Sequence, residues 1–329
     1  MADSRPTLDF VVIGAPKAGT TSLFEYLRTH PQVHLPKWKE TNFFLDPTYQ
    51  RGVEWYLDWV LSDAPAGAVC GEASVRYMAG TPYSVPAGTE PSGGSQERDD
   101  DQVERILPRR IHEALPGAKL IAILRDPVER SVSEHGMASL RGEEQRDLAE
   151  AMRESLRADR LEAARESFST TTCYLVQSEY GRILAPFFEL FGKDRILVLF
   201  TADLAEQPRA VVQEVCRFLG VADDFTPPNL GVRYLEGAAK PRWWFLDMPR
   251  FARFMKRSSL LRGIWRRLPA GLRQRVWSSS FAVEKWNRAA PEKDAGRRID
   301  ADLEATLREH FRADRERLVD LTGLEPPWA

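Results

Sequence analysis

A short apolar run that ends at a glycine constrains the fold of this chain more than any other feature. Residues 8–13 are mostly apolar and are closed by Gly14, which predicts a buried strand. Residues 19–29 then carry apolar side chains at helical spacing, and this pattern ends before Pro31. A strand, a glycine-containing loop and a helix in that order are typical of α/β proteins, which bind anions at the carboxyl ends of parallel strands.

Further apolar runs alternate with helical patterns along the chain. The clearest strand is predicted at residues 119–124, which are apolar after the first lysine, as a central parallel strand should be. The other predicted strands are residues 68–71 and 195–200, and the predicted helices are residues 53–61, a segment from Val128 onward, a segment through Phe187 and Phe188, and residues 209–219 and 300–322. This alternation predicts a parallel sheet with right-handed crossovers.

Composition limits the classes of function. The net charge of −2 over 329 residues gives no electrostatic argument for a nucleic-acid partner. The three cysteines are widely spaced in apolar contexts, so we expect buried thiols rather than a disulfide framework, and with five unclustered histidines we predict no metal site. The chain lacks an apolar leader and any run of about 20 apolar residues. We therefore expect a cytoplasmic protein, and the excess of arginine over lysine favours a bacterial source.

The loop after the first strand departs from the Walker A pattern of nucleoside triphosphatases. Gly14 and Gly19 have the Walker spacing, but Thr20 stands where the lysine belongs, and Lys17 lies inside the loop instead. A triphosphatase would lose its clamp on the β- and γ-phosphates through this change. A phosphosulfate carries less charge at its transferred end, so the altered loop favours sulfuryl transfer. The predicted fold is accordingly an α/β, P-loop-like, three-layer domain with a central parallel β-sheet flanked by helices, plus a C-terminal helical elaboration.

The same loop resembles a known family. Its sequence, Pro-Lys-Ala-Gly-Thr-Thr-Ser at residues 16–22, is similar to the 5′-phosphosulfate loop of sulfotransferases that use 3′-phosphoadenosine 5′-phosphosulfate (PAPS), above all the heparan sulfate sulfotransferase-like group and its bacterial relatives. The resemblance implies that PAPS is bound here and leaves as adenosine 3′,5′-bisphosphate. The implied donor-binding residues of the loop are Pro16, Lys17, Ala18, Gly19, Thr20, Thr21 and Ser22, with Lys17 also catalytic.

A second anion anchor follows the strand at residues 119–124. Arg125 comes directly after this strand, and Ser133 lies one or two helical turns beyond Pro127. An arginine fork and a hydroxyl form a good receptor for a phosphate dianion. The segment resembles the family's 3′-phosphate motif, and the alternative is a strand-end arginine paired with Asp126. Bacterial relatives often have Ser-His-Tyr at this point, whereas this chain has Ser133 followed by glutamate and His135. We give no catalytic role to His135.

The catalytic carboxylate is assigned through the resemblance. Glu40 lies three residues before Phe43 and Phe44, like the family's general base, and Lys39 beside it is a tentative substrate residue. Sulfuryl transfer to an alcohol needs a group that removes the hydroxyl proton, and a carboxylate can do so. The alternative is a surface glutamate in a lysine-rich loop. Residues 71–74 also resemble bacterial members, which makes Glu72 and Ser74 tentative substrate residues, although a buried structural carboxylate is an equal alternative for Glu72.

A basic, aromatic stretch follows residue 236. Residues 237–244 resemble the loop that closes over the nucleotide, with Lys240 and Arg242 as implied donor contacts. Basic and apolar residues alternate through residue 275, which predicts an amphipathic helical region. It could contact an acidic acceptor or a membrane surface, or simply pack on the core. The domain prediction is a single sulfotransferase domain over residues 1–329, with an α/β core at 7–235, a surface loop at about 82–101 and the nucleotide-closing loop and helices at 236–329.

The predicted function is PAPS-dependent transfer of a sulfuryl group to an acceptor hydroxyl, on a small-molecule natural product, a glycan or a lipid. Two alternatives stay open, a P-loop kinase or NTPase and a noncatalytic nucleotide-binding protein. The sequence leaves the acceptor and the oligomeric state undetermined, because variable loops form acceptor pockets.

Overall fold

The computed structural model describes residues 7–45, 47–79, 81, 103–232, 234 and 299–329. Its centre is a five-stranded sheet in which every pairing is parallel, with the order β2-β3-β1-β4-β5. The strands are β1 (Phe10–Gly14), β2 (Val33–His34), β3 (Val69–Ala73), β4 (Lys119–Leu124) and β5 (Ile196–Phe200). The predicted α/β fold with a central parallel sheet is confirmed.

Helices flank this sheet. In the described residues they are α1 (Thr20–Leu27), α2 (Val53–Val60), α3 (Val103–Ala114), α4 (Pro127–Arg141), α5 (Leu148–Ser155), α6 (Ala158–Glu166), α7 (Tyr180–Phe191), α8 (Thr201–Glu206), α9 (Pro208–Leu219) and α10 (Ala301–Thr322). Helix α10 provides the described part of the predicted C-terminal helical elaboration. The extent of a single domain over residues 1–329 stays a prediction, because residues 82–102 and 235–298 lie outside the described part.

The burial of the central strands explains why the sequence predicts them. All five residues of β1 are buried, and β4 is buried after Lys119. Strands covered by helices on both faces need apolar side chains at every position, which gives the continuous runs seen in the sequence. Strand β2 has two residues and was not predicted, since it is too short to produce a pattern. It pairs with the start of β3 at Val69 and Cys70.

The chain order places a crevice at the carboxyl edge of the sheet. Strand β1 lies between β3 and β4, so the chain builds the sheet to one side of β1 first and crosses to the other side afterwards. Ligands of open α/β sheets bind where the strand order reverses in this way. The short 3₁₀ turn Val75–Ala79, directly after β3, packs closely on the end of β1. A Cβ at Gly14 would lie only 2.5 Å from the sulfur of Met78 in that turn, so a larger residue would not fit.

Helix α10 is tied to the core beside the same edge. The Asp314 carboxylate accepts hydrogen bonds from the backbone N–H groups of Gly181 and Arg182, at 2.9 and 2.8 Å, and so caps the start of α7. Near the other end of the contact, Arg308 Nη1 lies 3.1 Å from the Asp126 carboxylate, at the start of α4. Helix α10 is thus joined to α7 through Asp314 and to the start of α4 through Arg308.

Candidate active site

The loop between β1 and α1 is held in a conformation suited to an anion. Lys17 and Gly19 both have left-handed backbone angles, with φ of +65° and +95°. Glycine adopts such angles freely, whereas for lysine they persist only when the surroundings fix them. Helix α1 begins after Gly19 without a side-chain cap, which leaves its first N–H groups and its positive dipole end at the loop. This is the arrangement that binds phosphate groups in α/β proteins.

The Lys17 side chain has a lowered pKa. Burial lowers its pKa from 10.5 to about 8, and the neighbouring Glu134 carboxylate opposes this shift. Glu134 is also close to the fully buried Arg130, with Oε2 3.7 Å from Nη1. The sequence did not identify Glu134 as a neighbour of the loop, because the two are more than 100 residues apart. The Glu134 carboxylate therefore lies between the Lys17 and Arg130 cations.

Thr201 fixes the loop from the far side. Its hydroxyl lies 2.7 Å from the carbonyl oxygen of Ala18 and 3.0 Å from that of Leu124, joining the loop to the end of β4. Thr201 is the first residue after β5 and is half-buried. Sequence reasoning missed it, since a single threonine after a strand carries no distinguishing signal.

Arg125 extends from the end of β4 toward the loop. Its Nη1 lies 3.5 Å from the carbonyl oxygen of Lys17, and its fork pairs with Glu129 at 2.9 Å. The Tyr180 hydroxyl donates to the Arg125 carbonyl oxygen at 2.9 Å. Asp126, the alternative partner considered from sequence, instead accepts the first N–H groups of α4 as its cap. The Arg125 side chain stays 30% exposed, so an anion can reach it.

Ser133 lies further along α4. It is half-buried, and within the described part of the chain its hydroxyl makes no hydrogen bond. Residues four apart share one face of a helix, so Ser133 is on the same face as Glu129, the partner of Arg125. Helical side chains lean toward the N-terminus, which directs Ser133 back along that face.

Glu40 is fixed at the end of β3. Its N–H donates to the Ala73 carbonyl oxygen at 2.8 Å, and its Oε2 accepts from the Val75 N–H at 3.0 Å. Its Oε1 forms an ion pair with Lys39, and about a third of the Glu40 side chain is exposed (34%). Its φ is +65°. Glu40 is therefore not a free surface glutamate but a held carboxylate with an open side.

Behind Glu40 lies a cluster of buried polar side chains. Glu72 and Ser74 are both 0% exposed, so neither is open to a substrate. The Thr41 and Ser74 hydroxyls donate to Glu72 Oε2 at 3.0 and 2.9 Å. The position favours the buried-carboxylate alternative for Glu72. Phe43 and Phe44 are fully buried, and Phe43 stacks on Tyr56 with ring centroids 4.1 Å apart.

Comparison with known proteins decides the family. A profile described as "Sulfotransferase domain" matches residues 7–227, which include the loop, Glu40, Arg125 and Thr201. The chain belongs to the sulfotransferase family. The family predicted from residues 16–22 is confirmed.

Relatives of this sulfotransferase include enzymes named for heparan sulfate. The chain is 31% identical to heparan sulfate glucosamine 3-O-sulfotransferase 6 of Homo sapiens over 38% of its own length and 29% of the relative's. It is 26% identical to bifunctional heparan sulfate N-deacetylase/N-sulfotransferase 4 of Mus musculus, over 66% of its length and 22% of the relative's. The chain thus spans less than a third of these relatives. The crystal structure of a sulfotransferase from Alicyclobacillus acidocaldarius shares the fold, with a TM-score of 0.61, 21% identity and 97% coverage of both chains.

Some predicted features lie outside the described residues. They are Lys240, Arg242, the basic region through residue 275 and the loop at 82–101. In the part of the chain that the structure describes, no group of three or more metal-ligating side chains comes together. None of the described helices is both long enough and apolar enough to cross a membrane. The cysteines, Cys70, Cys173 and Cys216, are free and buried.

Proposed function

We propose that this sulfotransferase transfers a sulfuryl group from PAPS to an acceptor hydroxyl, with Glu40 as the general base. One observation carries the proposal. Lys17, in the loop after β1, contacts Arg125, at the end of β4, through its carbonyl oxygen. The Arg125 charge also helps to lower the pKa of the Lys17 ammonium, so two interacting cations follow adjacent strands at the edge where α/β folds bind nucleotides.

The donor fits this pair of cations. A 5′-phosphosulfate would occupy the loop at residues 16–22, against the N-terminus of α1 and the Lys17 ammonium. The 3′-phosphate would meet the exposed fork of Arg125 and the Ser133 hydroxyl, as charge-assisted hydrogen bonds favour. Lys240 and Arg242 complete the proposed donor contacts on the strength of the family resemblance.

In the proposed transfer step, one residue takes the proton and another stabilises the negative charge of the leaving group. The acceptor oxygen forms a bond to sulfur, while the bond between sulfur and the bridging oxygen of the 5′-phosphate breaks. Glu40 takes the proton of the acceptor hydroxyl, and Lys17 stabilises the negative charge that develops on the bridging oxygen. The products are a sulfate ester and adenosine 3′,5′-bisphosphate.

The acceptor is proposed only as a class. One relative is named as a heparan sulfate 3-O-sulfotransferase, which supports a glycan hydroxyl. A small-molecule natural product or a lipid is equally compatible with the chemistry, since sulfuryl transfer requires only a hydroxyl on the acceptor. Lys39, beside Glu40, is the described residue proposed to approach the acceptor. A cytoplasmic site of action, and membrane contact through the basic region at 240–275, are further parts of this proposal.

The main rival function is phosphoryl transfer from ATP. Thr20 occupies the Walker lysine position and is buried, with 4% of its surface exposed. A neutral buried hydroxyl cannot replace the cation that clamps the β- and γ-phosphates. Calorimetry with ATP plus Mg²⁺, set beside adenosine 3′,5′-bisphosphate, distinguishes these donors. Tighter binding of ATP would reject the proposed donor.

The decisive experiment measures transfer of radiolabelled sulfate from PAPS to a panel of glycan, phenolic and lipid acceptors. Glu40→Gln should lower turnover by about 100-fold or more, the usual contribution of a general base, and leave binding of adenosine 3′,5′-bisphosphate unchanged. Glu162→Gln is the matched control, because Glu162 is an exposed glutamate on α6. Equal loss of turnover and product binding in Glu40→Gln would reject the base assignment.

A further inference from the structure

The buried carboxylate of Glu72 is unusual in having one satisfied and one unsatisfied oxygen. Its side chain is 0% exposed, and Oε2 accepts hydrogen bonds from Thr41 and Ser74. Oε1 is buried and makes no hydrogen bond of normal geometry in the described part of the chain, although the buried Tyr56 and Tyr77 hydroxyls lie close enough to the carboxylate to interact with it. Leaving such an oxygen unpaired is costly, so a buried carboxylate of this kind calls for an explanation.

The hydrogen bonds of Glu72 lead to the two residues that follow Glu40, Thr41 directly and Asn42 through Ser74. Thr41, which donates to Glu72, is the next residue in the chain. Ser74, the other donor, accepts from the N–H of Asn42 at 3.0 Å. Glu40 itself is bonded to Ala73 and Val75, the neighbours of Ser74 in sequence. The segment carrying the base is thus held to the end of β3, with Glu72 at the centre of the contacts.

The backbone of this segment needs such support. Glu40 and Asn42 have φ of +65° and +50°, left-handed angles that residues other than glycine adopt at a cost. Conformations of this kind persist where surrounding contacts fix them. The Thr41 hydroxyl also lies 3.4 Å from the Tyr77 hydroxyl, so the anchor reaches a second buried side chain. Without Glu72, Thr41 would lose its nearest partner.

We propose that Glu72 is a positioning residue, whose ionised carboxylate holds Thr41 and Ser74 and thereby fixes the backbone that presents Glu40 to the acceptor. This inference rests on the proposed function, in which Glu40 is the base. Glu72 does not touch substrate, because it has no exposed surface.

The ionisation of Glu72 predicts a measurable pH dependence of turnover. Burial raises the pKa of Glu72 to about 7, while the hydroxyl donors lower it and the Glu40 carboxylate raises it. The titratable groups that face it are Glu40, Tyr56 and Tyr77, and burial raises the pKa of both tyrosines so that they stay neutral. Protonation of Glu72 removes the negative charge beside Glu40 and weakens the acceptor of the two hydroxyls. Turnover should therefore rise with pH through about 7.

The test measures kcat/KM for the acceptor from pH 5.5 to 9 in the full chain. Glu72→Gln, which mimics the protonated carboxyl, should lower kcat/KM at pH 8 by about tenfold and abolish the step near pH 7, as loss of base alignment predicts. Thr41→Val should lower kcat/KM and keep the step, because the carboxylate remains; it also serves if Glu72→Gln fails to fold. Asp314→Asn, at a half-buried carboxylate on α10, is the control and should keep the wild-type profile.

Binding of adenosine 3′,5′-bisphosphate separates positioning from general damage. Its Kd should stay within about twofold of wild type in Glu72→Gln and Thr41→Val, since neither residue contacts the donor loop. Parallel loss of product binding and turnover in both variants would overturn the proposal in favour of a purely structural contribution. A wild-type kcat/KM and pH step in Glu72→Gln would overturn it as well.

A spectroscopic readout keeps this inference distinct from the proposed function. In protein labelled with ¹³C at glutamate carboxyls, the Glu40 signal, assigned through Glu40→Gln, should change in chemical shift near pH 7 as Glu72 ionises, and this change should be absent in Glu72→Gln and present in Asp314→Asn. If that change appears while the wild type transfers no sulfate, the proposed function fails and the coupling of the two carboxylates stands. If transfer is normal and the Glu40 signal shows no change that depends on Glu72, the Glu72 proposal fails alone.

Discussion

The Nη1 atom of Arg125 lies 3.5 Å from the carbonyl oxygen of Lys17, so the ends of two adjacent strands meet through these residues. The contact leaves the remaining donors of the Arg125 fork to Glu129 and to solvent. A dianion arriving at this edge would compete with one exposed carboxylate for the fork. Exposed ion pairs stabilise weakly, so Glu129 is a partner that a phosphate can displace.

Replacement of Arg125 should separate nucleotides by their 3′-phosphate. We expect Arg125→Ala to weaken binding of adenosine 3′,5′-bisphosphate by about 10- to 100-fold, the effect of losing about 1.5–3 kcal/mol of charge-assisted hydrogen bonding. Binding of AMP, which has no 3′-phosphate, should change by less than about threefold. Isothermal titration calorimetry at constant ionic strength measures both.

The control for this prediction is Arg157→Ala, which removes an exposed arginine paired with Asp159 near the start of α6. It should bind both nucleotides like wild type. Equal weakening of the two nucleotides by Arg125→Ala would show that Arg125 supports the loop rather than the 3′-phosphate.

Donor binding should depend on the protonation of Lys17. Burial lowers the pKa of Lys17 to about 8, so the free protein carries this charge below pH 8 and loses it above. We expect the Kd of adenosine 3′,5′-bisphosphate to be nearly constant from pH 7 to 8 and to rise by up to about tenfold per pH unit above that. Calorimetry between pH 7 and 9.5 measures this, in a range where the phosphates stay dianionic.

Lys17→Arg provides the comparison, because a guanidinium keeps its charge over the whole range. Whatever its affinity at pH 7, its binding should vary little with pH. A wild-type Kd that stays flat to pH 9.5 would remove Lys17 from the donor site.

The sequence was sufficient for four of the five strands that the structure describes, and for the loop, because their signals are local. A strand buried on both faces must be apolar at every position, as in β4, and the loop requires Gly19 at a left-handed angle. Arg125 and Lys17 could be brought together on topology alone, since parallel neighbours end at one edge. The displaced lysine favoured sulfuryl transfer, and the family was named from the resemblance of residues 16–22 to a sulfotransferase loop.

The contacts that hold these residues were not predictable in the same way. Thr201 supports the loop from 183 residues away, and Glu134 reaches Lys17 from another helix. Such partners are chosen by the packing of separate elements, which leaves no period or spacing in the chain. Glu72 was noticed through resemblance, yet its burial and its link to Thr41 depend on how the loop at Glu40 folds over β3.

Thr201→Val should loosen the donor loop while preserving side-chain volume. The hydroxyl contacts two carbonyl oxygens, of Ala18 and Leu124, and its loss should cost about 1–2 kcal/mol of unfolding free energy. We also expect weaker binding of adenosine 3′,5′-bisphosphate, by about three- to tenfold, because the loop loses its tie to β4. Urea denaturation and calorimetry give the two quantities.

Thr306→Val is the matched control, since the Thr306 hydroxyl bonds only within the exposed face of α10, to the Asp302 carbonyl oxygen at 2.8 Å. It should leave nucleotide binding unchanged. Unaltered binding in Thr201→Val would mean that the loop keeps its shape without this support.

Glu72 should make folding stability depend on pH in a direction opposite to most carboxylates. Burial raises its pKa from 4.5 to about 7, so the folded protein must hold a buried charge at pH 8 that the unfolded chain carries freely in water. The stabilising contribution is complete below the unfolded pKa and is lost as pH rises through 7. Glu72→Gln has no such charge. Its unfolding free energy relative to wild type should therefore improve by about 2 kcal/mol between pH 5 and pH 8.

Urea denaturation of wild type and Glu72→Gln at pH 5, 6, 7 and 8 measures this difference, and the same pair with Glu162→Gln shows the behaviour of an exposed glutamate, for which no change is expected. A constant difference across the range would mean that Glu72 is ionised throughout. The expected result is that ionisation of Glu72 lowers the stability of the fold and supports the activity. The ionised form of Glu72 is the less stable one, yet it is the form that holds Thr41 and Ser74 around the base. Relative to wild type, Glu72→Gln should thus be more stable at pH 8 than at pH 5, while its turnover falls below that of wild type at pH 8, a combination that damage to the fold cannot produce.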